Sequence, residues 1–204
     1  MEKELNALLL VGGKSSRMGT DKLLIQYFEK PHAEHAFEMI HRIIPNIYVS
    51  ARDGQAVGFT KNIIHDAFDV AGPLNGLLSA HAAFPDKAWL ALAVDMPFVN
   101  QGTISRLIKH RDKSSLATAM MSTKNKLPEP LLAIWERDGL AKLKQHFESG
   151  EIVYPSKFLL DNKVKLVTAE DEAELFNVND EIDLEWARKK MEREDKDAFP
   201  KPKK

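Results

Sequence analysis

Apolar residues along this chain fall into two alternating rhythms. Residues 7–11 form an unbroken apolar run that stops at Gly12-Gly13, the pattern of a strand buried on both faces. From Ala33 the apolar positions Ala36, Phe37, Ile40 and Ile44 recur at helical spacing until Pro45 ends them. Short strands are predicted at 47–51 and 63–65, then a helix over 74–83 that stops before Pro85. Residues 89–94 form a second doubly apolar run, which leads straight into Asp95-Met96-Pro97. Asn100 is placed to cap a helix that carries Ile104, Leu107 and Ile108 on one face. Further strands are predicted at 116–121, 131–135 and 164–168, with helices near 139–148 and 180–190.

Strands that alternate with helices in this way build an α/β, three-layer sandwich around a mostly parallel mixed sheet. The chain has 204 residues, enough for one compact domain with a real core, and residues 1–190 are read as that single domain. Residues 191–204 form a charged tail with Pro200 and Pro202 and no apolar period, expected to be disordered.

Composition narrows the function classes. Lys+Arg number 29 against Asp+Glu 30, so no global basic field draws nucleic acid, and an anionic ligand needs a local site. There is no cysteine, which excludes disulfides, thiolate nucleophiles and cysteine-held zinc, and which fits a cytoplasmic location. The early charges and the five-residue apolar run at 7–11 do not make a signal peptide or a membrane span.

In open α/β sheets ligands bind at the carboxyl ends of the strands, so the residues that follow each strand matter most. After the first strand comes Gly12-Gly13-Lys14-Ser15-Ser16-Arg17-Met18-Gly19-Thr20-Asp21-Lys22. Glycines let the backbone present N–H groups to anionic oxygens or base edges, the serines add hydroxyls, and Arg17 and Lys22 add fixed positive charge. Gly13-Lys14-Ser15 imitates the end of a P-loop, but that motif needs a glycine where Leu8 stands. The loop is read as a phosphate-binding loop of another kind, against the alternative of a polar connection with solvated charges. Asp95, at the end of a buried strand, is placed to hold a hard cation through oxygen, with a turn or cap aspartate as the alternative. Asp66 ends another strand and has two readings, an acceptor for ribose hydroxyls or guanine N–H groups and an Asx turn. Gly72-Pro73 opens a helix whose N-terminus favours a phosphate or ribose nearby.

Other features point to packing. His32, His35 and His41 lack a zinc-ligand spacing. Trp89, Trp135 and Trp186 are read as packing residues rather than a stacking platform, and the last helix, with Trp186 and Met191, is expected to dock against the sheet. Asn177-Val178-Asn179-Asp180 reads as a capping turn with Asp180 at the positive helix end.

Leu10-Val11-Gly12-Gly13-Lys14-Ser15-Ser16-Arg17-Met18-Gly19-Thr20-Asp21-Lys22 resembles the signature of the molybdenum cofactor guanylyltransferase family. Asp66, Gly72-Pro73-Leu74-x-Gly76, Asp95-Met96-Pro97, Pro130-Leu131-Leu132-Ala133 and Phe176-Asn177-Val178-Asn179 resemble its later landmarks in order. The likeness covers nearly the whole chain to about Lys190. It implies a Rossmann-like, GT-A-like nucleotidyltransferase fold that binds GTP and molybdopterin (or its molybdenum-bearing form) with magnesium. By the same resemblance Leu10, Val11, Gly12, Gly13, Ser15, Lys22, Asp66, Gly76 and Asp95 meet the nucleotide, Lys22, Arg17 and Asp95 serve catalysis, Asp95 holds Mg2+, and Asn177 and Asn179 line the pterin side. Members often carry an asparagine in the second strand, where this chain has Ser50. The implied reaction moves GMP from GTP to the terminal phosphate of molybdopterin and releases pyrophosphate. Transient contact with other proteins that make or receive the cofactor goes with that role. The rival readings are a cytidylyltransferase or sugar-phosphate nucleotidyltransferase of the same fold, and a non-catalytic nucleotide sensor.

This division of the loop is testable. Lys22→Ala is expected to lower nucleotidyl transfer by about 10²–10³ without loss of thermal stability, because a lysine past a glycine-rich loop serves charge rather than core. Lys14→Ala should leave the rate near wild type. Equal losses in the two variants, measured as pyrophosphate release, would show that the two lysines do not have separate roles.

Overall fold

The computed structural model of the chain describes residues 5–12, 22–27, 29–150 and 152–198, with Lys22 and residues 194–198 described in their backbone only. Four strands come first: β1 (Leu5–Leu10), β2 (Ile47–Ala51), β3 (Ile63–His65) and β4 (Ala88–Ala93). They pair in parallel in the order β3-β2-β1-β4. β5 (Ala117–Met121), β6 (Pro128–Trp135) and β7 (Lys165–Thr168) complete a seven-stranded sheet of order β3-β2-β1-β4-β6-β5-β7. β6 runs antiparallel to both neighbours, and β5 pairs β7 in parallel. The mostly parallel mixed sheet expected from the strand–helix alternation is the one formed.

Strand alternation divides the core between two faces. Ala7, Leu9 and Val11 of the β1 segment, with Leu90 and Leu92 of β4, face a cluster that takes in Ala33, Ala36 and Ile40 of α1 (His32–His41). Ile104 and Leu107 of α3 (Gln101–Lys109) join the same layer. Leu8, Leu10, Trp89 and Ala91 face the opposite cluster, filled by Leu74, Leu77 and Leu78 of α2 (Pro73–Ala83). α4 (Arg137–Glu148) adds Leu140 and Leu143 to that cluster, and α5 (Pro155–Asp161) adds Phe158 and Leu159. This is why β1 and β4 read as continuous apolar runs: both faces are covered by helices.

Local chemistry sets the helix ends. The side chain of Asn100 accepts from the Thr103 N–H at 3.0 Å, and Thr103 returns the bond to the Asn100 N–H, closing a capping box at the start of α3. Pro73 sits in the first turn of α2 after Gly72, whose φ of 83° lies in the left-handed region that glycine enters without strain. Asp180 accepts from the Asp183 N–H at 2.9 Å, so the capping turn expected before the last helix is present.

Two expectations are corrected. The last helix, α6 (Glu181–Ala198), continues through eight residues of the segment read as a disordered tail, 191–198. The absence of an apolar period marked these residues as exposed, which is compatible with helix because Glu, Arg, Lys and Ala are strong helix formers. Nor does α6 dock on the sheet. Its Ala187 and Leu184 pack with Ile25, Tyr27, Phe98, Phe176 and Val178 in a third, small cluster beyond the sheet's carboxyl edge. Trp186 is 46% exposed and lies against Phe176, with ring centres 4.4 Å apart, whereas Trp89 and Trp135 are fully buried. α5 was not predicted; its pattern is one turn of Phe158 and Leu159 behind Pro155, shorter than the helical period can reveal. No described helix is long and apolar enough to cross a membrane.

Where α4 meets β5 the backbones nearly touch. A Cβ built on Gly139 would lie 2.0 Å from the Leu116 carbonyl oxygen, which also accepts from the Glu136 N–H. Gly139→Ala is therefore expected to cost about 1–3 kcal/mol through forced displacement of backbone. Gly58→Ala, where a Cβ meets nothing within 4 Å, should be neutral or slightly stabilising. Thermal melts of the two variants decide this, and an unchanged Gly139→Ala would disprove the close approach.

Candidate nucleotide site

The strand order reverses at β1: the chain moves from β1 outward to β2 and β3, then returns to β4 on the other side. Such a switch point opens a crevice at the strands' carboxyl ends. The last rungs of pairing are the Val11 N–H to the Ser50 carbonyl at 3.3 Å and the Val94 N–H to the Leu10 carbonyl at 3.0 Å. Beyond them β1 has no strand on either side among the described residues, and the chain enters the glycine-rich loop. Gly13, Ser15 and Arg17 of that loop lie outside the described residues, as does the side chain of Lys22, whose backbone forms a 3₁₀ turn, Lys22–Leu24.

On the β2–β3 side lies a cavity of about 440 Å³ lined by Leu10, Gly12, Ser50, Arg52, Asp66, Val70, Ala71, Gly72 and Pro73. Leu10, Gly12 and Asp66 were anticipated here. Val11 is core, 1% exposed, and its side chain does not line the cavity. Gly76 does not line it either. A Cβ there would fall 2.5 Å from Ser50 Oγ and 2.6 Å from Leu10 Cδ2, so Gly76 lets α2 lie close to β1 and β2 and thereby shapes the wall. Gly76 thus has a packing role of its own beside the nucleotide contact that the resemblance implies. Gly12 is the converse: a Cβ there meets nothing within 4 Å among the described residues, and Gly12 lines the cavity.

Asp66 follows β3 directly and its N–H bonds the Ala51 carbonyl at 3.1 Å. Its carboxylate makes no hydrogen bond or ion pair among the described residues, so the Asx turn is not what forms. Burial raises its pKa above the ordinary carboxylate value, opposed by the nearby positive charge of Arg52 and then by His65. The connection after Asp66 is fastened to α2. Asn75 donates to the Val70 carbonyl at 2.9 Å and also to the Phe68 carbonyl, while its Oδ1 accepts from the Phe68 N–H at 3.2 Å and from Ser79 Oγ at 3.0 Å. Ser79 Oγ accepts from the Ala67 N–H at 2.9 Å. Asn75 and Ser79 thus hold the strand end that carries Asp66. Sequence reasoning passed over Asn75; the only signal was an amide inside an otherwise apolar helix.

On the other side of β1, Asp95 follows β4 in a turn closed by backbone bonds, Met96 N–H to the Ala93 carbonyl and Val99 N–H to the Met96 carbonyl. Its carboxylate is half-buried, with Oδ1 shielded from solvent. The Val178 N–H donates to the Asp95 carbonyl at 2.8 Å. That bond, with the packing of Phe98 on Phe176, brings Asn177 and Asn179, which flank the fully buried Val178, to the aspartate turn. Their amides bond locally, Asn177 Nδ2 to the Leu175 carbonyl at 3.2 Å and Asn179 Nδ2 to the Asn177 carbonyl at 3.3 Å. Glu129 on β6 was missed. Its carboxyl is raised in pKa by burial first, and also by the charge of Asp95, which places the two acids near one another. It stands immediately before the Pro130-Leu131-Leu132-Ala133 stretch, and its Oε1 accepts from the Leu131 N–H at 2.9 Å. Among the described residues no group of three or more His, Cys, Asp or Glu is arranged to hold a metal.

Comparison with known proteins places these features in a wider set. A family described as the MobA-like NTP transferase domain matches residues 7–161. A molybdenum cofactor biosynthesis bifunctional protein of Synechocystis is 28% identical over 178 residues, 86% of this chain but 51% of that protein, so the chain spans about half of its length. A molybdenum cofactor guanylyltransferase of Campylobacter jejuni is 28% identical, across 86% of this chain and 91% of its own. The crystal structure of molybdopterin-guanine dinucleotide biosynthesis protein A from Archaeoglobus fulgidus superposes with a TM-score of 0.73 at 23% identity, covering 92% of this chain and 99% of that one. It shares the fold.

The state of Asp66 has a measurable consequence. Its folded pKa is raised, so it contributes stability that is complete at low pH and is lost as pH rises through the folded value. Asp66→Asn should therefore melt at the same or a higher temperature than wild type at pH 8, with the gain shrinking toward pH 5. A marked loss of stability at pH 8 would show that the carboxylate is a structural element.

Proposed function

Because the chain belongs to the MobA-like NTP transferase domain family, we propose that it transfers GMP from GTP to the terminal phosphate of molybdopterin, with or without molybdenum bound. An oxygen of the acceptor phosphate attacks the α-phosphorus, a new P–O bond forms, the bond to the β-phosphate bridge breaks, and pyrophosphate leaves. The acceptor is already anionic at neutral pH, so no protein nucleophile is needed. What the protein supplies is alignment and neutralisation of charge.

The observation that carries this reading is the pairing of two features across the end of β1. A base-sized cavity with Asp66 lies on one side, and a half-buried aspartate at the end of β4 lies on the other. A nucleotide whose base occupies the cavity would extend its phosphates over the β1 exit toward Asp95, past the loop that carries Arg17 and Lys22. Those two cations would neutralise the departing pyrophosphate. Asn177 and Asn179, tied to the Asp95 turn through Val178, would border the acceptor side.

The donor set fits magnesium. Asp95 offers hard oxygen in a shielded position, with the Glu129 carboxyl close by and no competing soft ligand in a chain without cysteine. Magnesium is commonly held by one or two carboxylates plus phosphate and water, which suits a site without a ready-made protein cage. When bound it would neutralise and orient phosphate oxygens. The location that fits is the cytoplasm, where transient contact with cofactor-making or cofactor-receiving proteins would hand on the product.

The test is pyrophosphate release from purified protein given magnesium, molybdopterin and each triphosphate in turn. GTP is expected to support turnover well above CTP, ATP or UTP. A preference for CTP would indicate a cytidylyltransferase, and binding without turnover a sensor. Asp95→Asn should keep the fold and lower turnover by about 10²–10³, with GTP affinity changed far less than rate. Asp86→Asn, in the exposed turn before β4, should leave turnover alone. A folded Asp95→Asn protein with near-normal turnover would remove the metal assignment.

A further inference from the structure

Two opposite charges line the cavity without pairing. Ala51 and His65 are partners in the β2–β3 register, so Arg52 and Asp66 are the next residues on neighbouring strands. Arg52 is close enough to pull the Asp66 pKa downward, yet no ion pair joins them among the described residues. The arginine backbone is fixed on both sides: its N–H donates to Gln55 Oε1 at 3.2 Å, and its carbonyl accepts from the Gln55 N–H at 3.1 Å. The guanidinium, with five N–H donors, has no acceptor among the described residues. A held backbone with an unused fork, beside an unused carboxylate, leaves both groups available to a ligand in the cavity. The remaining wall is largely apolar, with Leu10, Val70, Ala71 and Pro73 suited to the faces of a flat ring.

Few rings match both groups. A carboxylate takes two adjacent N–H donors, and among the common bases the N1–H and N2–H of guanine provide them. A guanidinium takes two adjacent acceptors, and the O6 and N7 of guanine are such a pair, next to the first edge on the same ring system. Adenine and cytosine set a ring acceptor beside their amino group, which turns a lone pair toward the carboxylate. Uracil flanks its one N–H with two carbonyls. Two charges that stand side by side fit two edges that stand side by side.

We propose that Arg52 is a specificity-determining residue that takes the O6/N7 edge of the guanine base while Asp66 takes N1–H and N2–H. This rests on the GTP reading above, and the experiment separates the two. Binding of GTP, 7-deaza-GTP (no N7 acceptor) and ITP (no 2-amino group) is measured by calorimetry for wild type, Arg52→Ala and Asp66→Asn. Wild type should bind GTP about tenfold to a hundredfold more tightly than 7-deaza-GTP, the loss expected for one hydrogen bond to a charged group. Arg52→Ala should weaken GTP by more than that factor, because O6 loses its donor as well as N7, and should bind GTP and 7-deaza-GTP about equally, so the difference between the two nucleotides disappears. ITP should be penalised in wild type and in Arg52→Ala but not in Asp66→Asn. If Arg52→Ala keeps the wild-type ratio of GTP to 7-deaza-GTP, the assignment is overturned while the GTP reading stands. A uniform weakening of all triphosphates would likewise overturn it, since the side chain would then be holding phosphate. If wild type binds CTP or ATP as tightly as GTP, both readings fall together. Arg52 is exposed, so its loss should not unfold the protein.

Discussion

Everything at the site depends on β1 being paired on both sides and covered on both faces. Its backbone is consumed by β2 and β4 as far as Val11, and its side chains alternate between two apolar clusters. Such a strand cannot shift register by one residue without turning Leu8 and Leu9 to the wrong layers. The points at which pairing stops are therefore fixed, and so is the place where the chain is released into the glycine-rich loop. Because β2 and β4 lie on opposite sides of β1, the loops after them diverge. The crevice follows from topology before any functional residue is placed in it.

The two halves of that crevice are stabilised differently. On the β2–β3 side the supports are polar and specific, with Asn75 satisfying both hydrogen-bonding ends of the connection that leads from Asp66 to α2. Buried amides of this kind are stabilising only when fully bonded, and here they hold a strand end whose own carboxylate has no hydrogen bond among the described residues. On the β4 side the support is apolar. The turn that carries Asp95 is backed by the Ile25, Val178 and Ala187 cluster, with Phe98, Phe176 and Trp186 packed beside it in edge-on and tilted contacts. A far segment, 177–179, reaches the turn through the Val178 backbone bond to Asp95 and through apolar packing. On the β2–β3 side, rigid walls thus carry Arg52 and Asp66, two charged groups with no hydrogen-bond partner for their side chains among the described residues. That arrangement costs stability unless a ligand completes it, and Asp66, with its raised pKa, bears part of the cost.

Much of this was legible in the sequence for a definite reason. Parallel strands covered on both faces must be apolar throughout, so β1 and β4 were visible as runs, and the residues after them as candidates. Helix caps are local chemistry, which is why Asn100 and Asp180 were placed correctly. The weaker elements escaped because their patterns are too short or lie outside the core. α5 contributes two buried residues, and the end of α6 contributes helix-forming charge without an apolar face.

By itself the sequence determined the strand runs, their order along the chain, and the acids and glycines that end them, because these follow from burial and backbone chemistry within a few residues. Only the tertiary structure decided which strand ends meet. Arg52 and Asp66 are fourteen positions apart in the numbering yet adjacent across the β2–β3 register. Glu129 approaches Asp95 because β6 packs antiparallel to β4. Gly76 lies under Ser50 and Leu10 because α2 comes within contact of two strands at once, a packing constraint that the motif alone does not display. Pairing across a sheet is set by the whole packed layer, and no local spacing in the chain encodes it.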